Sequence, residues 1–190
     1  NTGAGRPNVL VVDDEREVAD AYALRVKGVC DVEAVYDGET ALERAAERPI
    51  DVLLLDLHMP GSSGDEVLAS LADRGFDGQI VMVTAIDPGF DVLDMPFDDY
   101  LCKPLEREDV RAAVDHQCTV LGYELLGEYF SVESTRSVLE AELSVDERSD
   151  HPEYADVERH SQRLKQRIRR LLGDADELFD SFEDIGREGR

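Results

Sequence analysis

The sequence predicts an α/β fold, a parallel sheet covered on both faces by helices and followed by a helical extension. Three observations predict it. Five short apolar runs alternate with stretches of helical periodicity. The third run, Val52-Leu53-Leu54-Leu55, is apolar at four consecutive positions, as a strand buried on both faces is. Polar residues with chemistry to offer recur where these runs end: Asp13, Asp14, Asp56, Thr84 and Lys103.

Taken in order, Asn8 to Val12 is the first strand, ending on Asp13-Asp14-Glu15. Helical spacing then passes through Val18, Ala21, Tyr22 and Leu24 until Gly28 closes it. Asp31 to Val35 alternates apolar and polar residues, as a strand nearer an edge does. Gly38 to Arg48 is a helix stopped by Pro49, and Val52 to Leu55 is the third strand. Gly64 to Arg74 is the third helix, and Gln79 to Val83 the fourth strand, ending on Thr84. Asp99 to Cys102 makes a fifth strand before Lys103-Pro104, and a helix begins near Leu105 with Glu106, Glu108 and Asp109 at its positive end. Right-handed crossovers between parallel strands put all the carboxyl ends on one edge, where ligands bind in open sheets. Asp56 as a mere cap of the next turn would leave the other four placements unexplained.

Composition bounds the function. The chain has 190 residues, enough for one domain with an appendage or two small ones. Asp and Glu number 44 against 20 Lys and Arg, a net charge of -24 that resists nonspecific binding to phosphate backbones. Only Lys27, Lys103 and Lys165 are lysines, and acidic, lysine-poor surfaces are the halophile solution, so a salt-rich cytoplasm is expected. Cys30, Cys102 and Cys118 have no metal or redox spacing, which fits reduced thiols. No apolar run reaches the roughly 18 residues of a membrane span, and no signal-peptide pattern opens the chain. Residues 1–7 carry no apolar pattern and are expected to be a flexible lead-in.

Three gathered carboxylates repel one another and either take up a proton or bind a cation. Hard oxygen donors without His or Cys suit Mg2+, which uses one or two carboxylates together with phosphate oxygens. Thr84 can then set its hydroxyl, and Lys103 its ammonium, against a phosphoryl group, while Asp56 attacks as the nucleophile.

The pair Asp13-Asp14, the loop Asp56-Leu57-His58-Met59-Pro60-Gly61-Ser62-Ser63-Gly64, Thr84-Ala85, and Tyr100 three residues before Lys103-Pro104 resemble the receiver domain of two-component response regulators over about residues 8–118. The resemblance implies a flavodoxin-like, doubly wound five-stranded sheet of order 2-1-3-4-5, the strand order of known receivers. It implies Asp56 as phosphoacceptor for a sensor histidine kinase. Asp14 and Asp56 would hold Mg2+ directly, Asp13 mainly through water, and His58 by its backbone carbonyl, with its imidazole either facing the phosphoryl group or simply solvated. Thr84 and Tyr100 would be the switch pair, and the Lys103-Pro104 bond would be cis. It implies a phosphoacceptor that assists its own phosphorylation and dephosphorylation and no turnover enzyme on an external substrate. One stretch departs from the pattern: between Thr84 and Lys103, residues 85–100 are fewer than the family norm and hold Pro88 and Pro96, so the helix there is expected to be brief or distorted, and the usual dimer face is in doubt.

From Leu105 the helical spacing continues outward through Val110, Val114, Cys118, Leu121 and Leu125, and Gly122 and Gly127 are candidate interruptions. The last segment has the most regular pattern. Tyr154, Val157, Ser161, Leu164, Ile168, Leu171, Ala175, Leu178, Phe182 and Ile185 step by three and four, predicting a single heptad helix over about 153–185 with Gly173 off its seam. Its partner is either the preceding helix or a second copy, a homo-oligomer. Arg159, Arg163, Lys165, Arg167, Arg169 and Arg170 form a basic run. One reading is a nucleic-acid contact; the favoured one is pairing with Glu124, Glu128, Glu133, Glu140 and Glu142 on a neighbouring helix. No helix-turn-helix pattern is visible, so direct DNA binding has no support in the sequence. The tail (residues 119–190) and the acidic composition resemble haloarchaeal response regulators carrying a HalX domain, which implies transcriptional or signalling control. The rival is a non-switching assembly module acting through its coiled coil. Aspartyl phosphatase and flavin-binding readings fail on His58, which stands where a second acid is wanted, and on Asp13-Asp14-Glu15, which repels phosphate.

Overall fold

The computed structural model describes residues 5–60, 63–85, 95–144, 147–148 and 151–188, with side chains through residue 182. The chain divides into two compact units, Arg6–Cys118 and Thr119–Arg190. The first is a sheet of five strands, β1 (Asn8–Val12), β2 (Asp31–Val35), β3 (Val52–Asp56), β4 (Gln79–Thr84) and β5 (Asp99–Cys102), interleaved with helices α1 (Arg16–Val26), α2 (Gly38–Glu47) and α3 (Gly64–Asp73). Every strand pair is parallel, and the order is β2-β1-β3-β4-β5. The region between β4 and β5, where a brief or distorted helix is expected, lies largely outside the described residues.

The apolar runs explain the layering. β3 is buried along its whole length, and Leu53, Leu55 and Leu10 join Val67, Leu68 and Leu71 of α3 in one core. β2, the alternating run, pairs on one side only among the described residues and is mostly half-buried. Asp51 is wholly buried at the opening of β3, where its carboxylate accepts the Asn8 backbone N–H at 2.8 Å and so fixes the start of β1. Asp37 caps α2 by accepting from the Thr40 backbone N–H, and Ser63 caps α3 by accepting from that of Glu66.

Helix α4 (Arg107–Glu142) contributes Arg107–Cys118 to the first unit and Thr119–Glu142 to the second, uninterrupted at Gly122 or Gly127. In the second unit α5 (Pro152–Leu171) and α6 (Ala175–Glu188) pack with α4 around Leu121, Leu125, Tyr129, Leu164, Ile168 and Phe179. From end to end, contacts run in opposite directions along the two segments: Gly122 approaches Leu172, Glu128 and Glu133 meet the adjacent His160 and Ser161, and Glu140 meets Tyr154. Helices α4 and α5 are therefore an antiparallel hairpin, the first of the two partners the sequence allows, with Leu164 and Ile168 of the seam buried within the chain.

The single heptad helix over 153–185 is corrected. Leu172 is extended, with φ -111° and ψ 127°, and separates α5 from α6. Leu172, Ala175 and Phe179 are the buried residues at and after the break; of these only Ala175 is a counted seam position, and the counted Leu171 and Leu178 are only partly buried. Gly173, a poor helix former, lies in this break. Aromatic contacts then tie α6 to α4: the Tyr129 and Phe179 ring centroids are 4.9 Å apart, and Phe130 stacks on Phe182 at 4.0 Å and 12°. Ile185 lies beyond the described side chains.

Candidate functional site

Register brings the predicted residues to one edge. Val12 lies opposite Leu55, Asp56 opposite Val83, and Thr84 opposite Cys102. Asp13 and Lys103 follow directly on two of these residues, and the Lys103 N–H donates to the Thr84 carbonyl at 2.7 Å. The Lys103-Pro104 bond is cis, as the resemblance implies.

The side chains converge. One ligand oxygen each from Asp13, Asp14 and Asp56 lies within 4.8 Å of the others. The Lys103 ammonium donates to Asp13 Oδ2 at 2.6 Å and stands 3.3 Å from Asp56 Oδ1. Asp13 Oδ1 accepts the Glu15 backbone N–H at 3.0 Å. Burial pushes the Asp56 carboxyl above its ordinary range; the Lys103 ammonium and the His58 backbone N–H pull it back, Asp13 pushes it further up, and the net direction is upward. Burial also works against the Lys103 ammonium, but the hydrogen bond to Asp13 and the Asp56 and Asp13 charges outweigh it and raise its pKa. The arrangement is a buried, partly compensated anionic cluster, chemically fit for a hard divalent cation.

Around it, Thr84 is fully buried, and its Oγ1 lies 3.4 Å from His58 Nδ1. His58 is exposed to solvent, and its backbone N–H reaches Asp56. Tyr100, opposite Met82 on β5, is half-buried against the core, with its ring 6.4 Å from that of Phe97 and its hydroxyl 3.8 Å from Cys102 Sγ. Gly64 is required where the loop after Asp56 turns into α3: a Cβ there would collide with the Asp56 carbonyl oxygen and the Leu57 Cα.

Several positioning residues are not apparent from motif spacing. Asp98 Oδ2 accepts the Ile80 N–H at 2.6 Å, and Asp99 accepts from the Tyr100 N–H at 2.8 Å and from Gln117 Nε2 at 3.1 Å. Together they anchor β5, and with it Tyr100 and Lys103. Arg25 donates to the Leu105 carbonyl, and Arg111 to the Arg25 carbonyl at 2.8 Å, bracing the turn after Pro104. Their one sequence signal is polarity beside an apolar run.

Arg159, Lys165 and Arg169 of the basic run are engaged away from the α4 glutamates. Arg159 pairs with Asp156 on its own helix, Arg169 with Asp176 at 2.7 Å, Lys165 lies 4.9 Å over the Phe179 ring, and Arg167 is buried. Glu128, Glu133 and Glu140, expected to meet arginines of the next helix, are met from α5 by His160 at 2.8 Å, Ser161 at 2.5 Å and Tyr154 at 2.8 Å.

A parallel sheet of this order, gathering carboxylates, a hydroxyl and an ammonium at its carboxyl edge, defines a signal-receiver protein. The chain belongs to the response regulator receiver domain family, which matches residues 9–115. Residues 119–186 match the HalX domain. A candidate transcriptional regulator of Haloferax volcanii is 41% identical over 135 residues, covering 70% of this chain and 23% of that protein. The transcriptional regulatory protein CutR of Streptomyces coelicolor is 38% identical over 111 residues, covering 56% of this chain and 51% of that protein. The chain thus spans a quarter to a half of the length of these relatives. Among solved structures, the signal receiver domain of a Luxo repressor protein from Vibrio parahaemolyticus is 25% identical with a TM-score of 0.61, covering 65% of this chain and 98% of that one. A CheY-like receiver from Methanospirillum hungatei, 20% identical with a TM-score of 0.59 over 63% of this chain and 99% of its own, shares the fold. Among the described residues no helix is long and apolar enough to cross a membrane.

Proposed function

We propose that this receiver accepts a phosphoryl group on Asp56 from a sensor histidine kinase, and that the phosphorylated state alters the output of the helical unit in transcriptional control. The single observation carrying the reading is Lys103 bridging Asp13 and Asp56 at 2.6 and 3.3 Å inside a three-carboxylate cluster. That geometry places an ammonium beside the attacking oxygen, in a cluster whose three carboxylates lie close enough to share a cation.

Asp56 acts as nucleophile. Its oxygen forms the new bond to phosphorus while the bond from phosphorus to the donor's imidazole nitrogen breaks, the electron pair leaving with the nitrogen. The Lys103 ammonium and Thr84 hydroxyl stabilise the charge that spreads over the phosphoryl oxygens. Mg2+ is the ion this donor set suits, supplying positive charge to phosphate oxygens. Asp14 and Asp56 would hold it directly, His58 by its backbone carbonyl and Asp13 mainly through water, while Asp13 also accepts from Lys103 and the Glu15 N–H. Thr84 and Tyr100 are the switch pair, and the half-buried Tyr100 has both a core side and a solvent side to choose between. The chain is a phosphoacceptor assisting its own chemistry and no turnover enzyme.

The assembly reading, motivated by the short stretch between β4 and β5 and by the coiled coil, is not favoured, since the coiled-coil seam packs against α4 within the chain. Incubation with acetyl phosphate and Mg2+ in the protein's working salt, followed by intact mass measurement, tests the proposal. Wild type should gain one phosphoryl mass and Asp56→Asn none; equal labelling of both, or of neither, sinks it.

A further inference from the structure

The part of α4 that belongs to the first unit buries Val110, Ala113, Val114 and Cys118, and among these apolar residues it also buries the amide-bearing Gln117. Apolar contact is non-directional, so a helix held by it alone can roll or slide on a sheet at little cost. A hydrogen bond fixes both distance and direction. Gln117 Nε2 donates to Asp99 Oδ2 at 3.1 Å, joining α4 to the first residue of β5.

The other oxygen of that carboxylate, Asp99 Oδ1, accepts the backbone N–H of Tyr100 at 2.8 Å. One carboxylate is thus shared between the half-buried tyrosine, which has two sides to choose between, and the helix that packs on the sheet. The helix does not end there. From Gln117 it runs through Cys118 into the second unit and on to Glu142 without a break. Packed side chains and rigid helices with two discrete arrangements are the elements that carry coupling between distant sites.

We propose that Asp99 and Gln117 are the positioning pair that passes the state of Tyr100 to α4, and along α4 to the helical unit. The inference rests on phosphorylation of Asp56 as its input. When the Tyr100 ring turns inward its backbone turns with it, and the Asp99 carboxylate no longer serves the Tyr100 N–H and the Gln117 amide together. The buried amide then loses its partner unless α4 moves to follow it. A hydrogen bond to a charged group moves an equilibrium roughly ten- to a hundredfold, which is the size of coupling that links two sites.

The test uses the full chain in potassium chloride that keeps it folded, treated with acetyl phosphate and Mg2+, with intact mass recording the phosphoryl label. Backbone amides of residues 119–126 of α4 should exchange about tenfold faster in labelled wild type than in the unlabelled chain. Gln117→Leu fills similar space without a donor. It should take the label as wild type does, yet change its exchange at the same amides by less than about twofold. The Gln117 side-chain amide resonances of wild type should also move on labelling, a readout that stands even where the variant folds poorly. A tenfold change in labelled Gln117→Leu, unchanged exchange in labelled wild type, or unmoved Gln117 resonances overturns the proposal. Wild type that takes no label fails the Asp56 reading itself, and the coupling falls with it.

Discussion

Lys103 lies closer to Asp13, at 2.6 Å, than to the Asp56 carboxylate at 3.3 Å. Before any phosphoryl group arrives, the lysine is a counter-ion, compensating carboxylates that the strand ends force together. Replacing it leaves buried negative charge without a partner. Lys103→Ala should therefore lose about 3 kcal/mol of stability near neutral pH. Mg2+ should raise the melting temperature of the variant more than that of wild type, because the ion then supplies the missing charge. Calorimetry checks this; equal shifts in the two proteins would contradict it.

The cap of α2 has a pH signature. The Thr40 backbone N–H and hydroxyl hold the Asp37 carboxyl below its ordinary value of 3.8. A depressed carboxyl contributes stability that is present in full above the unfolded-chain value and lost as pH falls through the folded one. Asp37→Ala should cost about 1 kcal/mol from pH 5 to 8. Below about pH 3.8 the difference from wild type should shrink, which urea melts across pH would follow.

Gly122 permits the close approach of α4 to the break between α5 and α6. A Cβ there would lie 2.6 Å from both Cγ and Cδ2 of Leu172. Alanine improves helix propensity by roughly 1 kcal/mol, so an exposed glycine would gain from the change. Here overpacking of about 1–3 kcal/mol should win. Gly122→Ala should lower the melting temperature, and adding Leu172→Ala should give a smaller further loss than the same change in wild type. Strict additivity of the pair would refute the contact.

The three cysteines should separate by reactivity. Cys102 is exposed, while Cys30 and Cys118 are buried, and burial, reinforced by Asp31, pushes the Cys30 thiol up to about 11. Brief maleimide treatment of the folded chain should add one group, at Cys102, and treatment in denaturant should add a group at each cysteine. Cys30 also sets a direction at alkaline pH. Above its ordinary 9.0 the unfolded chain loses the thiol proton while the folded chain keeps it. Stability should therefore fall as pH rises from 9, and fall less in Cys30→Ala.

Much of the receiver was legible because its signals are local. Val52 to Leu55 announces a strand buried on both faces, and strand ends place Asp13, Asp56 and Thr84 together once the sheet is parallel. Asp98, Asp99 and Gln117 were not legible, since each serves a backbone or side-chain group whose nearness only the folded chain creates. The tail failed for a different reason. Spacing counts apolar positions but does not report where the backbone leaves the helix, so Leu172 and Phe179 fell outside the counted seam although both are buried. Charge alone matches Glu128, Glu133 and Glu140 to arginines, whereas their partners on α5 are His160, Ser161 and Tyr154.

Those three partners change how the hairpin should respond to ionic strength. Attraction between opposite charges fades when the Debye length drops to about 3 Å, as it does near molar salt. A hydroxyl donating to a carboxylate, as Ser161 and Tyr154 do to Glu133 and Glu140, relies on short-range contact that screening barely touches. These two contacts of the hairpin are therefore bonds that survive in brine, and salt can relieve the repulsion among the chain's many acids without loosening them.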